Sequence, residues 1–541
     1  MMKDFLKLTL ITLLLAWGLS SFFTNGIKAE QKADIPITEE YFPDKYFREI
    51  LKYCDKNNDG VLNINENKSL TNLKIEGYSP SNQSDYNGYC EKIESLKGIE
   101  NLYYLKKYTC YCDINEIDLS KNKSLESITL CDTDANIKIG KLPLLKKFSM
   151  ESNSRLYKLD LSGCPILDHL ELVENENLEH LNIGNNRKLK KLSTDYNKLT
   201  TIKLGKCKRL KKISLRELYL SKVEISKCTN LEYFNLIEWS SLKKIDLSNN
   251  KSIKKIYIGG SKLKKIDLSH NKKLEEVYIL DSKLKKISFR KNKELKYVGL
   301  RRNKLVKIDV TKNKKLVYLE CEKNKLRNID VSHNKKLEAL YCRKNKLNNL
   351  NLLPCKKIEN LECDSNKISS LNLTKMKKLK KLDCSKNNIS KLNVSKNRKL
   401  TKLICCRNNI SSINLAKNKR LKKLNCGYCN IGNINVKRNK KLEYLSCEVN
   451  KISELDVSKN KKLRRLNCKK NNITKLKLGK NSGLRYLNAS NNKIKKLKLS
   501  GIRRLDGLYL KHNKIKSIDI SHMSTRFEMI IKGDRKMVVY I

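Results

Sequence analysis

The sequence predicts a β-rich solenoid of about twenty coils, each with two short parallel strands, between a small helical N-terminal cap and a C-terminal β-hairpin cap. Three observations predict it. A 21-residue period runs without slippage through Leu316, Leu337, Ile358, Leu379, Leu400, Leu421, Leu442, Leu463, Leu484 and Leu505. Within each period, LxxLxC and then LxxLxV place apolar residues at alternate positions, as strands with one buried face do. Asparagine recurs at two fixed places in the period, where a coil must turn its corners. A chain of 541 residues is long for one compact core. Repeats escape that limit because each unit packs only on its neighbours.

Residues 1–29 read as a secretory signal peptide. Lys3 and Lys7 precede an apolar run from Leu8 to Phe23, and Ala29 ends a plausible cleavage site. An uncleaved anchor is the competing reading. No cysteine stands at a lipoprotein position, and Met537 to Ile541 show neither a sorting signal nor a basic-flanked apolar tail. No later stretch is long and apolar enough to span a bilayer. The expectation is a secreted or cell-wall-associated protein, monomeric and without a covalent tether.

Residues 30–101 form the expected N-terminal cap, and residues 55–66 fit the twelve-residue EF-hand calcium loop. Oxygen ligands would come from Asp55, Asn57, Asp59, the Val61 carbonyl and Asn63, with Glu66 closing the site bidentately. Gly60 supplies the sharp turn, and Leu62 points to the core. Phe47, Ile50, Leu51 and Cys54 form the apolar stripe of an entering helix, with Pro43 suited to its first turn. The exit helix is doubtful, because Leu70 to Ile75 read as the start of the sheet. One structural calcium ion is expected; a plain polar turn is the alternative.

Residues 102–525 hold the coils. Upstream of Leu316 they start at Leu125, Leu145, Leu167, Leu189, Leu210, Leu231, Ile253, Leu274 and Leu295, spaced 20 to 22 residues apart, with an irregular coil near Leu102. First-corner asparagines run from Asn303 to Asn513, and second-corner ones from Asn271 to Asn481. Corner backbone groups that turn inward need partners, and a side-chain amide offers donors and an acceptor. A further Asp/Asn column, Asp246 to Asp456, stacks like charges on the second strand and reads as structural, offset by flanking lysines. Residues 526–541 read as a hairpin around Gly533-Asp534 that covers the last open edge.

Leu379-Lys-Lys-Leu-Asp-Cys-Ser-Lys-Asn-Asn-Ile-Ser-Lys-Leu-Asn-Val-Ser-Lys-Asn397 resembles the repeat of bacterial leucine-rich-repeat proteins, in particular the 21-residue subclass known as IRREKO. The resemblance covers about residues 102–525. It implies the solenoid fold and, as the family's common role, binding of proteins through the exposed strand face.

Nineteen cysteines in a secreted chain first suggest disulfides. Register argues for packing instead. Cys321, Cys342, Cys363, Cys384, Cys405, Cys426, Cys447 and Cys468 share one inward position, which Ala489 and Leu510 also fill. Cys164, Cys207, Cys228 and Cys355 replace second-corner asparagines, and Cys429 a first-corner one. Parallel neighbours keep Cβ atoms about 4.8 Å apart, against about 3.8 Å in a disulfide. A reduced ladder is expected. Cys54, Cys90, Cys110 and Cys112 lie in the irregular N-terminal region, where one or two disulfides, or zinc, are open readings.

None of the six histidines sits near a motif for nucleophilic, phosphate or zinc chemistry, so the chain is not expected to be an enzyme. Binding is the expected function. Tyr233, Tyr257, Tyr278, Tyr297, Tyr318 and Tyr341 fall on successive coils beside the cysteine position, with Trp239 and several carboxylates nearby. Exposed tyrosines anchor protein interfaces, although aromatics also simply suit strand surfaces. The formal charge of +61, or +59 without Lys3, Lys7, Lys28 and Asp4, favours anionic partners. The partner is therefore an extracellular protein or, alternatively, an anionic polymer such as cell-wall polymer, polysaccharide or nucleic acid.

Overall fold

The computed structural model describes residues 34–76, 92–216, 219–237, 241–503, 505–523, 530–534 and 536–540. The signal segment, Cys90, Trp239 and residues 526–529 lie outside the described residues. The chain divides into two units, Met1–Lys147 and Phe148–Ile541.

In the first unit, helix α1 (Lys45–Lys52) is capped by Asp44, whose Oδ1 accepts the Phe47 N–H at 2.9 Å. Pro43 therefore precedes the cap rather than opening the helix. Phe47, Ile50 and Leu51 are buried, as the stripe requires. Strand β1 (Ile35–Pro36) pairs antiparallel with β2 (Val61–Leu62), and helix α2 (Ile64–Ser69) follows. The doubtful exit helix thus exists, but it spans only six residues. Strand β3 (Asn72–Ile75) then pairs in parallel with Lys107–Cys110, which pairs in turn with Ser127–Cys131. The sheet therefore begins at Asn72, in the segment from Leu70 to Ile75 that reads as its start.

In the second unit, one parallel ladder runs from His169–Val173 to Ile530–Lys532 with each strand in register on the next. Leu319, Leu340, Leu361 and Leu382 stack in this register and are wholly buried. Two residues beyond the inward cysteine position, the coils turn into the first corner through a left-handed residue. Arg302, Lys323, Lys344, Lys386, Tyr428, Val449 and Lys470 have φ between 51° and 54°. Few side chains favour that region. Hydrogen bonds to the next coil hold it, as in Lys323 N–H to the Arg343 carbonyl at 3.0 Å.

The two asparagine columns are built differently. At the first corner, Asn387 Nδ2 donates to the Cys363 and Cys384 carbonyls at 3.0 and 3.1 Å, while its Oδ1 accepts the Ile368 N–H at 2.9 Å. At the second corner, Asn397 Nδ2 donates to Leu373 and Met376, but its buried Oδ1 has no partner. Donation alone is the common requirement there, so Cys355 can stand in by donating its Sγ–H to Val331 at 3.4 Å.

The second strand forms in only part of the unit. Lys158–Asp160, His180–Asn182, Thr201–Lys203 and Lys222–Glu224 make one ladder. Glu454–Asp456 pairs with Lys475–Lys477. Between these stretches the described residues show a single bridge, Asp309 to Asp330. Facing charges favour one of these ladders. Glu454 faces Lys475 and Asp456 faces Lys477 where the ladder forms. Upstream, Lys244, Lys265, Lys286 and Lys307 recur at one position of the repeat, and stacked like charges oppose close pairing. The Asp/Asn column is structural, as expected, but through a different contact: each Oδ1 accepts the N–H two residues on, as in Ser269 to Asp267 and Ser395 to Asn393.

The C-terminal hairpin is corrected. Ile530–Lys532 pairs in parallel with Gly507–Tyr509, and Val538–Tyr540 in parallel with Ser517–Asp519. The end of the chain is one more coil, whose two strands belong to two different ladders. Gly533-Asp534 is its corner and not a hairpin turn. The Asp534 carboxylate accepts the His512 and Asn513 N–H groups at 2.8 and 3.2 Å, in place of the carbonyls a following coil supplies elsewhere.

Candidate binding face

The strands of the main ladder bury every second side chain and leave two outward positions. One carries Tyr233, Lys255, Glu276, Tyr297 and Tyr318 in register; the other carries Tyr257, Tyr278, Gly299, Glu320, Tyr341 and Glu362. The six expected tyrosines thus fall in two columns of one face. Their rings nevertheless join. Centroids lie 5.5 Å apart for Tyr233 and Tyr257, 5.2 Å for Tyr257 and Tyr278, 6.3 Å for Tyr278 and Tyr318, and 5.4 Å for Tyr318 and Tyr341. Tyr297 joins through Tyr318 at 6.5 Å. Aromatic pairs in this range contribute about 0.5–1.5 kcal/mol each beyond burial.

Gly299 is what lets the ribbon change column. A Cβ there would meet the Tyr278 ring at 2.3 Å, so the missing side chain gives Tyr278 its seat beside Tyr318. Nothing in the local sequence singles out this glycine, because its φ is ordinary and only the neighbouring ring needs the space.

Carboxylates frame the ribbon. The Tyr257 hydroxyl donates to Glu276 and the Tyr318 hydroxyl to Glu320. Burial, with help from Glu276 and Glu320, pushes the Tyr278 phenol up to about 12. Arg301 lies 3.4 Å from Asp281 and 3.8 Å from Glu320. Arg343 lies 3.6, 3.5 and 3.1 Å from Glu322, Glu362 and Asp364. Arg302 also reaches Asp281, at 3.0 Å, so three arginines serve five carboxylates, and Arg343 alone serves three. Burial first, and then neighbouring acids, hold Glu322, Glu362 and Asp364 above the usual carboxylate range.

Solved structures share this arrangement of coils. YopM from Yersinia enterocolitica aligns with 86% of this chain and 92% of its own at 18% identity, with a TM-score of 0.59. The Leptospira interrogans LRR protein LIC12759 aligns with 59% of this chain and 90% of its own at 22% identity and a TM-score of 0.52. The chain is a leucine-rich-repeat solenoid. The Arabidopsis receptor kinase HAESA, in complex with the peptide hormone IDA and the co-receptor SERK1, aligns with 82% of this chain and 89% of its own at 19% identity and a TM-score of 0.51. No family model and no curated protein matches the sequence.

Further along the same face of the solenoid the chemistry changes. Lys423 lies over the Tyr444 ring at 4.8 Å and Arg465 over Tyr486 at 4.9 Å, and at the neighbouring first corner Arg407 lies over Tyr428 at 4.2 Å. Elsewhere in the unit, Lys190, Lys208, Arg209, Lys211, Lys254 and Lys273 ring a depression around Glu232.

Beneath the face, all eight ladder cysteines from Cys321 to Cys468 are buried thiols. Burial pushes the Cys384 and Cys447 thiols well up, which keeps them protonated and unreactive. In the first unit, Cys112 is disulfide-bonded, while Cys54 and Cys110 are thiols.

The loop 55–66 has the backbone its sequence requires. Gly60 has φ +80°, Leu62 is wholly buried, and Asp55 and Glu66 are nearly so. Asp55 Oδ2 accepts the Gly60 N–H at 2.8 Å, while its buried Oδ1 has no partner. Glu66 accepts the Lys56 and Asn63 N–H groups at 2.8 and 3.0 Å. Asn63 caps α2, and Asn57 donates to Asp59 at 2.8 Å. Among the described residues no three acidic, histidine or cysteine side chains already converge as a metal cluster. The orphaned Asp55 oxygen fits a cation, and Asn57, Asn63 and the Val61 carbonyl are the uncharged oxygens such a loop uses.

Proposed function

We propose that this protein is a secreted or surface-associated binding protein that holds other proteins on its strand face, in the manner of an adhesin. The observation that carries the reading is the continuous ribbon of six tyrosine rings. Tyrosine offers a large contact area at small entropic cost, with a polar tip for specificity. HAESA, which shares the fold, binds a peptide hormone. The test is capture from host and bacterial surface extracts by the protein and by Tyr297→Ala/Tyr318→Ala, at about 50 and 200 mM salt. A partner retained at the higher salt and lost by the variant supports the reading. Identical capture by both proteins sinks it.

A second reading, binding of anionic polymers, is favoured by the six cations around Glu232. Charge-driven binding to a heparin-type or teichoic-acid-type column should fall steeply between about 50 and 200 mM salt and ignore the tyrosine substitutions. For the N-terminal loop we propose one structural calcium ion on Asp55, Asn57, Asp59, Val61, Asn63 and Glu66. Calcium should raise the melting temperature of this region by mass action, and Glu66→Ala should abolish the rise. Calorimetry that finds no uptake at millimolar calcium would reduce the loop to a turn.

A further inference from the structure

The tyrosine–carboxylate ridge is an acidic strip on a chain of formal charge +61. Two of its carboxylates have a spacing. Glu320 and Glu362 share one outward column two coils apart, and in parallel strands two coils span about 10 Å. An extended peptide advances about 3.3 Å per residue, so side chains three apart recur at about the same 10 Å. The cations already present are shared: Arg301, Arg302 and Arg343 serve five carboxylates, and Arg343 alone serves three of them.

The downstream half of the face supplies the contrast. There the chain lays its own cations over Tyr444 and Tyr486, and over Tyr428 at the neighbouring first corner. Among the described residues, none of the six tyrosines from Tyr233 to Tyr341 has a cation over its ring. The upstream half therefore has the aromatic and anionic partners of such a contact and lacks the cation.

We propose that the ridge formed by Tyr257, Tyr278, Tyr318 and Tyr341 with Glu320 and Glu362 is the docking site for an extended segment of a partner protein bearing arginine or lysine at about every third residue. The inference rests on the reading of this face as a protein-binding surface and specifies the partner's chemistry. A cation approaching the rings is attracted by their π-faces and by acids that burial has made poorly solvated. The chain's net charge repels such a partner everywhere else, so only a short segment matched to the strip can bind. It also disfavours a second copy of this chain as the occupant.

The test uses fluorescence polarisation of the full protein with a short labelled peptide carrying arginine at every third position, at about 150 mM salt. Its counterpart with glutamate in place of arginine is measured beside it. The arginine peptide should bind. Glu320→Gln/Glu362→Gln should weaken it about tenfold or more, as loss of charge-assisted contacts predicts. Gly299→Ala should weaken it too, by displacing the Tyr278 ring without altering any charge. Melting curves establish that each variant is folded. The inference is overturned if the arginine peptide does not bind, if both variants bind it unchanged, or if the glutamate peptide is the one these substitutions weaken. Failure here, with Tyr297→Ala/Tyr318→Ala still losing a captured protein, sinks the cationic-segment inference and leaves the protein-binding reading standing.

Discussion

Residues 255–383 and 402–532 share one interior and carry opposite surfaces. Inside, the same leucine and thiol columns run through both, from Cys321 to Cys468, wholly buried. Outside, the upstream stretch sets tyrosines beside Glu276, Glu320 and Glu362, whereas the downstream stretch sets them under Lys423, Arg465 and Arg407. The difference separates two kinds of constraint. Inward positions answer to packing in every coil, so they repeat. Outward positions answer only to neighbours on the same face, so they are free to differ, and function can be written there.

The largest expected effect tests the shared interior. Leu382→Asp, at the junction of the two stretches, places an unpaired carboxylate in the stack and should cost more than about 3 kcal/mol. Circular dichroism should show several coils lost together. Loss confined to one coil would mean that the two stretches do not share an interior.

The next effect should differ between the stretches. Arg343→Ala removes the cation nearest Glu322, Glu362 and Asp364 and should destabilise the protein by about 1–3 kcal/mol at neutral pH. Arg465→Ala should cost less than about 0.5 kcal/mol, because it loses an exposed cation–π contact. The pH dependence gives the sign. These three acids have raised folded-state pKa values, so their penalty is present above the folded pKa and is relieved as pH falls through it. The Arg343→Ala deficit should therefore shrink on acidification, while that of Arg465→Ala should not. Equal and pH-independent losses would erase the comparison.

Val449→Asn is expected to stabilise by about 1 kcal/mol, because a β-branched residue at φ 52° is strained and asparagine tolerates that region. A rise in melting temperature checks it. The smallest effect is chemical. Thiol reagents should leave Cys321 to Cys468 unmodified in the native protein and label all of them after unfolding without reductant. Cross-linked ladder peptides in mass spectrometry would contradict the packing account.

Much of this was legible in the sequence for a physical reason. A period of 21 residues with alternating apolar positions admits one efficient stack, so the inward columns, the corner asparagines and the thiol ladder could be read directly. The tyrosines could be named, because exposure follows from alternation. Their union could not. Tyr278 meets Tyr318 across two columns only because Gly299 is missing a side chain, and that depends on the register of three strands.

Local pattern misjudged the last segment and the extent of the second strand. The last segment alternates like a hairpin, yet its strands add in parallel to two different ladders, because strand partners are chosen by the edge already waiting and not by the turn between them. The second strand has the right alternation in most coils, but it pairs in only some of them, Glu454 with Lys475 among these. The sequence by itself determined which residues are buried and which turn the corners, since those follow from short-range periodicity. Only the tertiary structure decided which outward side chains meet, because cross-coil contacts depend on register and on the volume of neighbours about 20 residues away.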